Sequence, residues 1–209
     1  MNETTETPPA NPLVPAELRV VRYPHPTLRH LSKPLKKIDR EIHAIVRRMF
    51  ELMYQHNGIG LAANQVDLPY RLFVLNLKGK QGEGEERVFI NPMLSAPKGL
   101  AEAEEGCLSL PELYADVKRA EKITLSAFDL EGQPLRLELD GLFARAAQHE
   151  LDHLDGKLFI DRLSTTGELA VRDPLRRFEE DFAARRAHGE IPNDAQIAAR
   201  LAELEKQRT

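Results

Sequence analysis

The pentad His149-Glu150-Leu151-Asp152-His153 restricts the possible fold more than any other feature of the chain. In a helix, residues four positions apart lie on one face with Cβ atoms about 5–6 Å apart, so both imidazoles can bind one divalent ion. Glu150 then lies beside the first histidine, where its carboxylate can act as a base on water. The alternative is a charged helix end whose histidines bind nothing.

The flanking residues support a buried helix at this position. Apolar side chains recur around the pentad at helical spacing, namely Leu142, Phe143, Ala146, Ala147 and Leu154. Gly141 marks the expected start, and Gly156 lies where a C-terminal cap is expected. Because the pattern is apolar on nearly all sides, we predict a central helix surrounded by other elements.

Length and charge favour one catalytic domain. The chain has 209 residues, 42% of them apolar, which is enough for one compact core. A net charge of −4, from 29 basic and 33 acidic residues, gives no global reason to expect an acidic partner. We therefore predict neither DNA nor a membrane as a ligand.

Cysteine content and the N-terminus indicate a cytoplasmic protein. Cys107 is the single cysteine, so no intramolecular disulfide can form. Residues 1–15 contain no basic cluster followed by an apolar run, and no segment approaches the roughly 20 apolar residues of a membrane-spanning helix. We expect the cysteine to be free, modified or bound to metal.

The chain is predicted to have three parts and an α+β fold, with mainly antiparallel strands wrapped around the metal-binding helix. Residues 1–17, rich in proline and glutamate, are predicted to be a flexible leader. Residues 18–163 are predicted to form the catalytic domain. Residues 164–209 form a charged helical extension, with helices expected at 174–186 and 192–206.

Within the catalytic part, periodicity predicts one further helix and four strands. Apolar residues between Ile38 and Met53 follow helical spacing, and Gly58 is expected to end that helix. Strands are predicted at residues 71–77 and 87–90, with an exposed loop between them. Residues 123–130 and 134–139 alternate apolar and polar side chains about Glu131-Gly132, which indicates an antiparallel hairpin.

The third metal ligand has two classes of candidate. A catalytic ion bound by two histidines usually has a third protein ligand and one open position. Cys107, preceded by Gly106, would complete a Cys-His-His set. A downstream acid would complete the set of an ordinary zinc peptidase, and the chain offers Asp161, Glu168 and Glu179.

Three segments together resemble peptide deformylase. They are Gly58-Ile59-Gly60-Leu61-Ala62-Ala63-Asn64-Gln65, Glu105-Gly106-Cys107-Leu108-Ser109 and Gln148-His149-Glu150-Leu151-Asp152-His153, in that order and followed by Gly156-Lys157-Leu158-Phe159. The resemblance covers roughly residues 20–163. It implies an α+β enzyme that hydrolyses the formyl group from the N-terminal formylmethionine of new polypeptides and releases formate.

The resemblance also implies the roles of the site residues. Cys107, His149 and His153 would hold one divalent ion, expected to be ferrous in vivo, although zinc, nickel or cobalt also suits this donor set. Glu150 would transfer protons. The side-chain amide of Gln65 and the backbone N–H of Leu108 would stabilise the oxyanion, and losing one such donor typically costs roughly 2.7–4 kcal/mol.

For the substrate, Gly58 and Gly60 flank Ile59 so that the backbone can approach an extended peptide. The resemblance implies a methionine pocket formed by Ile59, Glu105, Gly106, Leu142, Ala146 and His149. Arg145 replaces a residue that is commonly apolar in the family, and would matter if its stem lines the pocket. Tyr114 stands where many relatives have an arginine that contacts the substrate backbone.

Further expectations concern Glu105, Asp152 and the extension. The resemblance implies an internal pair between Glu105 and Arg119. Asp152 could orient an imidazole through its free N–H. The arginines of the extension indicate either a solvated helical face or a ribosome-docking element. Competing functions are a zinc endopeptidase and a non-catalytic binder of formylated N-termini, for which Glu150 would be unnecessary.

Overall fold

Five antiparallel strands and a buried helix form the centre of the protein in a computed structural model that describes residues 17–209. The predicted leader, apart from residue 17, lies outside the described residues. The strands are β1 (Gly60–Ala62), β2 (Leu72–Leu75), β3 (Arg87–Lys98), β4 (Ala101–Cys107), β5 (Leu110–Arg119), β6 (Lys122–Phe128) and β7 (Pro134–Asp140). The helices are α1 (Arg40–Gln55), α2 (Gly141–Leu154), α3 (Thr165–Ala187) and α4 (Asp194–Arg208).

The main sheet has the order β1-β2-β3-β6-β7 and separates α1 from α2. The side chains of strand β2 show this separation. Leu72 and Val74 pack in the cluster that contains α1, whereas Phe73 and Leu75 pack in the cluster that contains α2. Successive side chains of a strand point to opposite faces, so a strand buried on both faces needs a continuous apolar run. The mixed helix and antiparallel sheet architecture confirms the predicted fold class.

A separate two-stranded sheet, β4-β5, covers the other side of α2. It places Cys107 at the end of β4, beside the helix that carries the histidines. Apolar residues of this hairpin, including Leu110, Leu113 and Val117, pack with Leu158 and Phe159 in a third core cluster. Helix α2 is thus enclosed, as its apolar pattern predicted.

Helix α1 agrees with its predicted periodicity but differs at its ends. Asp39 caps its first turn by accepting hydrogen bonds from the N–H groups of Glu41 and Ile42. The helix ends at Gln55, and Asn57 adopts the left-handed conformation with φ 56°. Asparagine is the residue besides glycine that adopts this conformation most readily, so Asn57 reverses the chain before the predicted terminator Gly58.

Each predicted strand is present in the structure, but the observed strand ends differ from the predicted ones. The hairpin β6-β7 pairs Ile123 with Leu139 and Leu125 with Leu137, in antiparallel register about the predicted turn. Strand β3 continues to Lys98, beyond the predicted end at Ile90, with irregular pairing after Ile90 and after Ser95. Pro92 and Pro97 hide this extension from a pattern search, because proline argues against a strand.

The C-terminal helices pack on the catalytic part of the chain. Helix α3 begins at Thr165, with Ser164 as its cap, and contains the proline at which the sequence predicted its start. Val171 is buried in the cluster of the β4-β5 hairpin, and Leu204 of α4 is buried in the cluster around α1. Arg208 also pairs with Asp39, at 2.7 Å.

Within residues 17–209, none of the helices has the length and apolar character needed to cross a bilayer.

Candidate metal centre and active site

Helix α2 presents His149 and His153 toward the hairpin β4-β5, and Glu150 toward β1. The helix stops at Leu154, and Gly156 follows with φ 70°. A Cβ at this glycine would lie 2.6 Å from the carbonyl oxygen of Arg29, so only glycine fits. The predicted cap is therefore also a close contact with the N-terminal segment.

Three donor atoms meet beside this helix. The Nε2 atoms of His149 and His153 are 3.2 Å apart, and Cys107 Sγ lies 3.3 Å from His153 Nε2. All three donor atoms lie within 4.8 Å of one another. In a tetrahedral site with ordinary bond lengths, such atoms are about 3.3–3.6 Å apart. The donor set therefore fits one divalent ion.

The acids of the endopeptidase alternative lie elsewhere. Asp161 pairs with Arg29 and accepts the N–H of Leu158, and Glu179 accepts a hydrogen bond from Tyr23. Glu168 is exposed near the start of α3. Among residues 17–209, the group of donors able to hold a metal ion consists of Cys107 and the two histidines.

Glu105 fixes the orientation of the first histidine. Its Oε2 lies 2.9 Å from His149 Nδ1, so that nitrogen donates to the carboxylate and Nε2 is left to bind an ion. Arg119 donates to both oxygens, at 2.7 and 2.8 Å, which is the internal pair that the resemblance implied. Although burial raises the pKa of Glu105, these hydrogen bonds and charges outweigh it and hold the pKa well below its usual range.

Asp152 does not have the role expected of it. Its carboxylate contacts Arg119 and Arg162 rather than an imidazole. The hypothesis that Asp152 orients a histidine is therefore wrong, and Glu105 makes that contact instead. Asp152 and Glu105 hold Arg119 between them, and its side chain is only 1% exposed.

The electrostatic environment of the histidines favours a cation. Burial lowers the pKa of His149, but hydrogen bonds to Cys107 and Glu105 outweigh it and raise the pKa to about 10. Burial and the charge of His149 hold the pKa of His153 well below its usual value. His153 thus stays neutral, as a ligand must, while the anionic groups around His149 stabilise positive charge.

Glu150 is buried in the same site without a partner for one of its oxygens. Its Oε2 has no hydrogen-bond partner among residues 17–209. Burial raises the pKa of Glu150 to about 7. Its carboxylate lies against Gly60, where a Cβ would be 2.9 Å from Glu150 Cδ and 2.7 Å from Leu75 Cδ2. Gly60 therefore provides the space that this carboxylate occupies.

Gln65 and Leu108 approach the donor set from two further segments. Gln65 lies in a 3₁₀ turn (Ala63–Val66), and its Oε1 accepts the N–H of Ala62 at 2.8 Å. This bond turns Nε2 toward Cys107 Sγ, 3.4 Å away. Leu108 follows the cysteine in the β4-β5 turn, and its N–H makes no hydrogen bond within residues 17–209.

Asn64 is a positioning contact that the sequence reasoning missed. It is fully buried, and its side-chain amide donates to the carbonyl of His153. The 3₁₀ turn is thereby joined to the metal helix. Its position beside Gln65 was the only signal available, because its partner is 89 residues away.

One cavity of about 440 Å³ contains the predicted substrate-binding residues. Its walls include Gly58, Ile59, Gly60, Glu105, Gly106, Tyr114, Leu142, Ala146 and His149, together with Gln65, Cys107, Leu108 and Glu150. Tyr114 is 61% exposed, and its ring lies so close to Gly106 that a Cβ there would be 2.6 Å from it. The structure thus brings together every predicted site residue, with His153 buried behind the cavity wall.

Arg145 also lines this cavity, and its guanidinium forms hydrogen bonds inside the protein. The sequence left two possibilities, a guanidinium that reaches solvent or one that faces away from the pocket. The side chain instead lines the cavity and donates to Glu105 Oε1 at 2.7 Å. It also donates to the carbonyls of Val117 and Ala101, at 2.9 and 2.8 Å.

A larger cleft, of about 880 Å³, lies between residues 17–25 and the helices α3 and α4. It contains none of the predicted site residues. Because size alone does not identify an active site, the smaller cavity with converging donors and a buried carboxylate is the candidate.

The site is that of a metal-dependent hydrolase, since a Cys-His-His donor set and a buried carboxylate open into one cavity. The sequence matches the family of polypeptide deformylases over residues 17–168. The chain therefore belongs to the polypeptide deformylase family.

Individual relatives agree with this assignment. A peptide deformylase of Rhodopirellula baltica is 45% identical over 188 residues, which cover 90% of this chain and 94% of that protein. The crystal structure of a plant peptide deformylase superimposes with a TM-score of 0.82 at 36% identity, covering 88% of this chain and 99% of that one. A peptide deformylase from Legionella pneumophila gives 0.72 at 38% identity, covering 79% and 98%.

Proposed function

We propose that this protein hydrolyses the N-formyl group of N-terminal formylmethionine on nascent polypeptides and releases formate. The observation that carries the proposal is the convergence of Cys107 Sγ and two imidazole nitrogens in the cavity that holds Glu150. Membership of the polypeptide deformylase family supports the same reaction.

Cys107, His149 and His153 would hold one divalent ion, which we propose to be ferrous in vivo. When bound, the ion would polarise the formyl carbonyl and lower the pKa of a water molecule. Thiolate and imidazole donors also suit zinc, nickel and cobalt, so the metal depends on availability as well as on the site.

Glu150 would move the proton. Its carboxylate lines the cavity and can accept a proton from the water that attacks the formyl carbon. It can then return that proton to the amine nitrogen as the carbon–nitrogen bond breaks. With its pKa raised to about 7 by burial, the carboxyl group is suited to accept and donate in turn near neutral pH.

Gln65 and Leu108 would stabilise the oxyanion formed in the attack. The Gln65 amide is fixed by its bond to Ala62, and the Leu108 N–H is unused within residues 17–209. Fixed donors lower the barrier because they need no rearrangement as charge develops.

The peptide would bind as an extra strand beside β1. This strand is at the edge of the main sheet, and Gly58, Ile59 and Gly60 line the cavity there. Pairing at a sheet edge recognises the main chain of the peptide, so peptides of many sequences can bind. This property suits a nascent-chain substrate. The first side chain would enter the cavity between Ile59, Leu142 and Ala146, whose walls suit an unbranched thioether.

We propose that the enzyme acts in the cytoplasm, where nascent chains emerge.

Ribosome docking through α3 remains a prediction. Arg176, Arg185 and Arg186 already pair with acidic neighbours, so these side chains are less free to bind RNA phosphates. Truncation after Ser164 would remove buried Leu204 and disturb the core. Charge reversal of the exposed Arg172 and Arg177, followed by ribosome cosedimentation, is the cleaner test.

The decisive experiment uses anaerobically purified protein and a short formylmethionyl peptide. We expect about one iron per chain by elemental analysis and release of formate. Cys107→Ala should lose both metal and activity, whereas the zinc endopeptidase alternative requires both to persist. Asp161→Asn is the matched control, because Asp161 is the ligand candidate of that alternative.

A further inference from the structure

Arg145 gives the cavity a polar wall that hydrolysis of formylmethionine does not require. It lies on α2 one turn before His149, between the cavity residues Leu142 and Ala146. Its side chain is 12% exposed, so it is largely enclosed by the walls of the cavity and the hairpin.

The guanidinium is held in a fixed orientation. One terminal nitrogen donates to Glu105 and to the carbonyl of Val117, and the other donates to the carbonyl of Ala101. These acceptors belong to β4 and β5, so Arg145 links the metal helix to both strands of the hairpin. A side chain fixed in this way presents its remaining donors at constant positions.

Two N–H groups of Arg145 remain without acceptors. A guanidinium has five N–H donors, and three have the partners described above. The Nε–H and one terminal N–H have no acceptor among residues 17–209, and Nε is not enclosed by protein atoms. Because the Arg145 side chain lines the cavity, its Nε–H is accessible to water or to a bound ligand there.

The guanidinium of Arg145 belongs to a cluster of buried charges beside the cavity. Arg119, Arg145 and Arg162 are paired with two carboxylates, Glu105 and Asp152. Three guanidinium groups thus share two acidic partners. Because the cavity lining also contains Glu104, Glu112 and Glu150, an electron-rich atom would be attracted there by the charged N–H donors of Arg145 and not by an overall positive potential.

We propose that Arg145 lets the cavity accept methionine sulfoxide as well as methionine at the N-terminus of the formylated substrate. The inference depends on the proposed function, which places the first side chain in this cavity. A sulfoxide oxygen is a strong acceptor that loses its water on entering an apolar pocket. The unused N–H donors of Arg145 would replace that water.

The test compares two substrates on the same enzyme preparation. We would measure kcat/KM for formyl-methionyl and formyl-methionyl-sulfoxide peptides of otherwise identical sequence. In Arg145→Met, the ratio of the sulfoxide to the methionine value should fall by about tenfold or more, the factor of one lost hydrogen bond. Any loss of folded or metal-loaded protein cancels in this ratio.

Two further variants and a binding measurement complete the test. Arg145→Lys retains a cation and should give an intermediate ratio. Arg162→Met removes a guanidinium from the same charge cluster outside the cavity, so its ratio should equal that of the wild type. Calorimetry with the deformylated product peptides should show the same preference without turnover.

The outcomes separate this inference from the function on which it depends. No turnover of the formyl-methionyl peptide by wild-type enzyme would overturn the proposed function. Normal turnover with equal ratios in wild type and Arg145→Met would overturn only the role of Arg145 in specificity. A ratio that falls equally in Arg162→Met would show a general charge effect and also overturn it.

Discussion

The carboxylate of Glu150 lies against the Cα of Gly60, which leaves no room for a side chain at that position. A Cβ on Gly60 would be 2.9 Å from Glu150 Cδ and 2.7 Å from Leu75 Cδ2, closer than real Cβ contacts. Both contacts are with the ends of buried side chains, one on α2 and one on β2, so a methyl group at this position would push the carboxylate out of its place.

Gly60→Ala should therefore lower kcat by about 100-fold while metal content remains at the wild-type level. The added methyl group displaces the carboxylate by a fraction of a bond length or more, and small misplacements of a catalytic group have effects of this size. Steady-state kinetics and elemental analysis check this. Gly167→Ala in α3 is the control and should keep full activity.

Glu150→Gln should reduce kcat by about 10²–10⁴-fold, the range typical of a lost acid–base group. The amide keeps the shape of the side chain and removes a buried charge, so the melting temperature should be equal or higher. Substantial residual activity would contradict the proton-transfer role. Glu102→Gln, on the exposed part of β4 and outside the cavity, should behave like the wild type.

Arg119→Ala should lower the free energy of unfolding by about 3 kcal/mol, the lower end of the range for breaking a buried pair. The full range does not apply because Arg145 still pairs with Glu105 and Arg162 still pairs with Asp152. Chemical denaturation measures the loss. We also expect faster metal release to a chelator, since Glu105 loses part of the support that orients His149. Unchanged values for both would refute the pairing role.

The free energy of unfolding should depend on pH between 7 and 5 because His25 is buried. Burial lowers its pKa, and although the charge of Asp67 opposes this effect, Arg200 and other arginines act in the same direction. As pH falls below about 6.5, the unfolded chain binds a proton at this histidine before the folded chain does. The free energy of unfolding should therefore decrease as pH falls from 7 to 5.

His25→Asn should flatten that dependence by at most about 1.4 kcal/mol per pH unit. Asparagine can still accept the hydrogen bond that Thr27 N–H donates to His25 Nδ1. Denaturation midpoints at several pH values measure the slope. His43→Asn, at an exposed position of α1, is the control, and an identical slope in wild type and His25→Asn would refute the prediction.

The sequence predicted those elements whose signals are local. The period of α2, its two histidines and its terminal glycine all lie within sixteen residues, 141–156, and the structure contains that helix at Gly141–Leu154. The β6-β7 hairpin was predicted for the same reason, because its strands alternate about a short turn. Strands β4 and β5 were not predicted as strands, since charged residues interrupt their apolar pattern.

The donor set of Cys107, His149 and His153 could be named from sequence, because residue type, spacing and family resemblance converge on it. What only the tertiary structure decided is how these groups are held. Glu105 rather than Asp152 contacts an imidazole, Gly60 makes space for Glu150, and Arg145 forms a cavity wall. The physical reason is distance along the chain: each contact joins residues 40 or more positions apart, and no local pattern encodes which buried charge meets which partner.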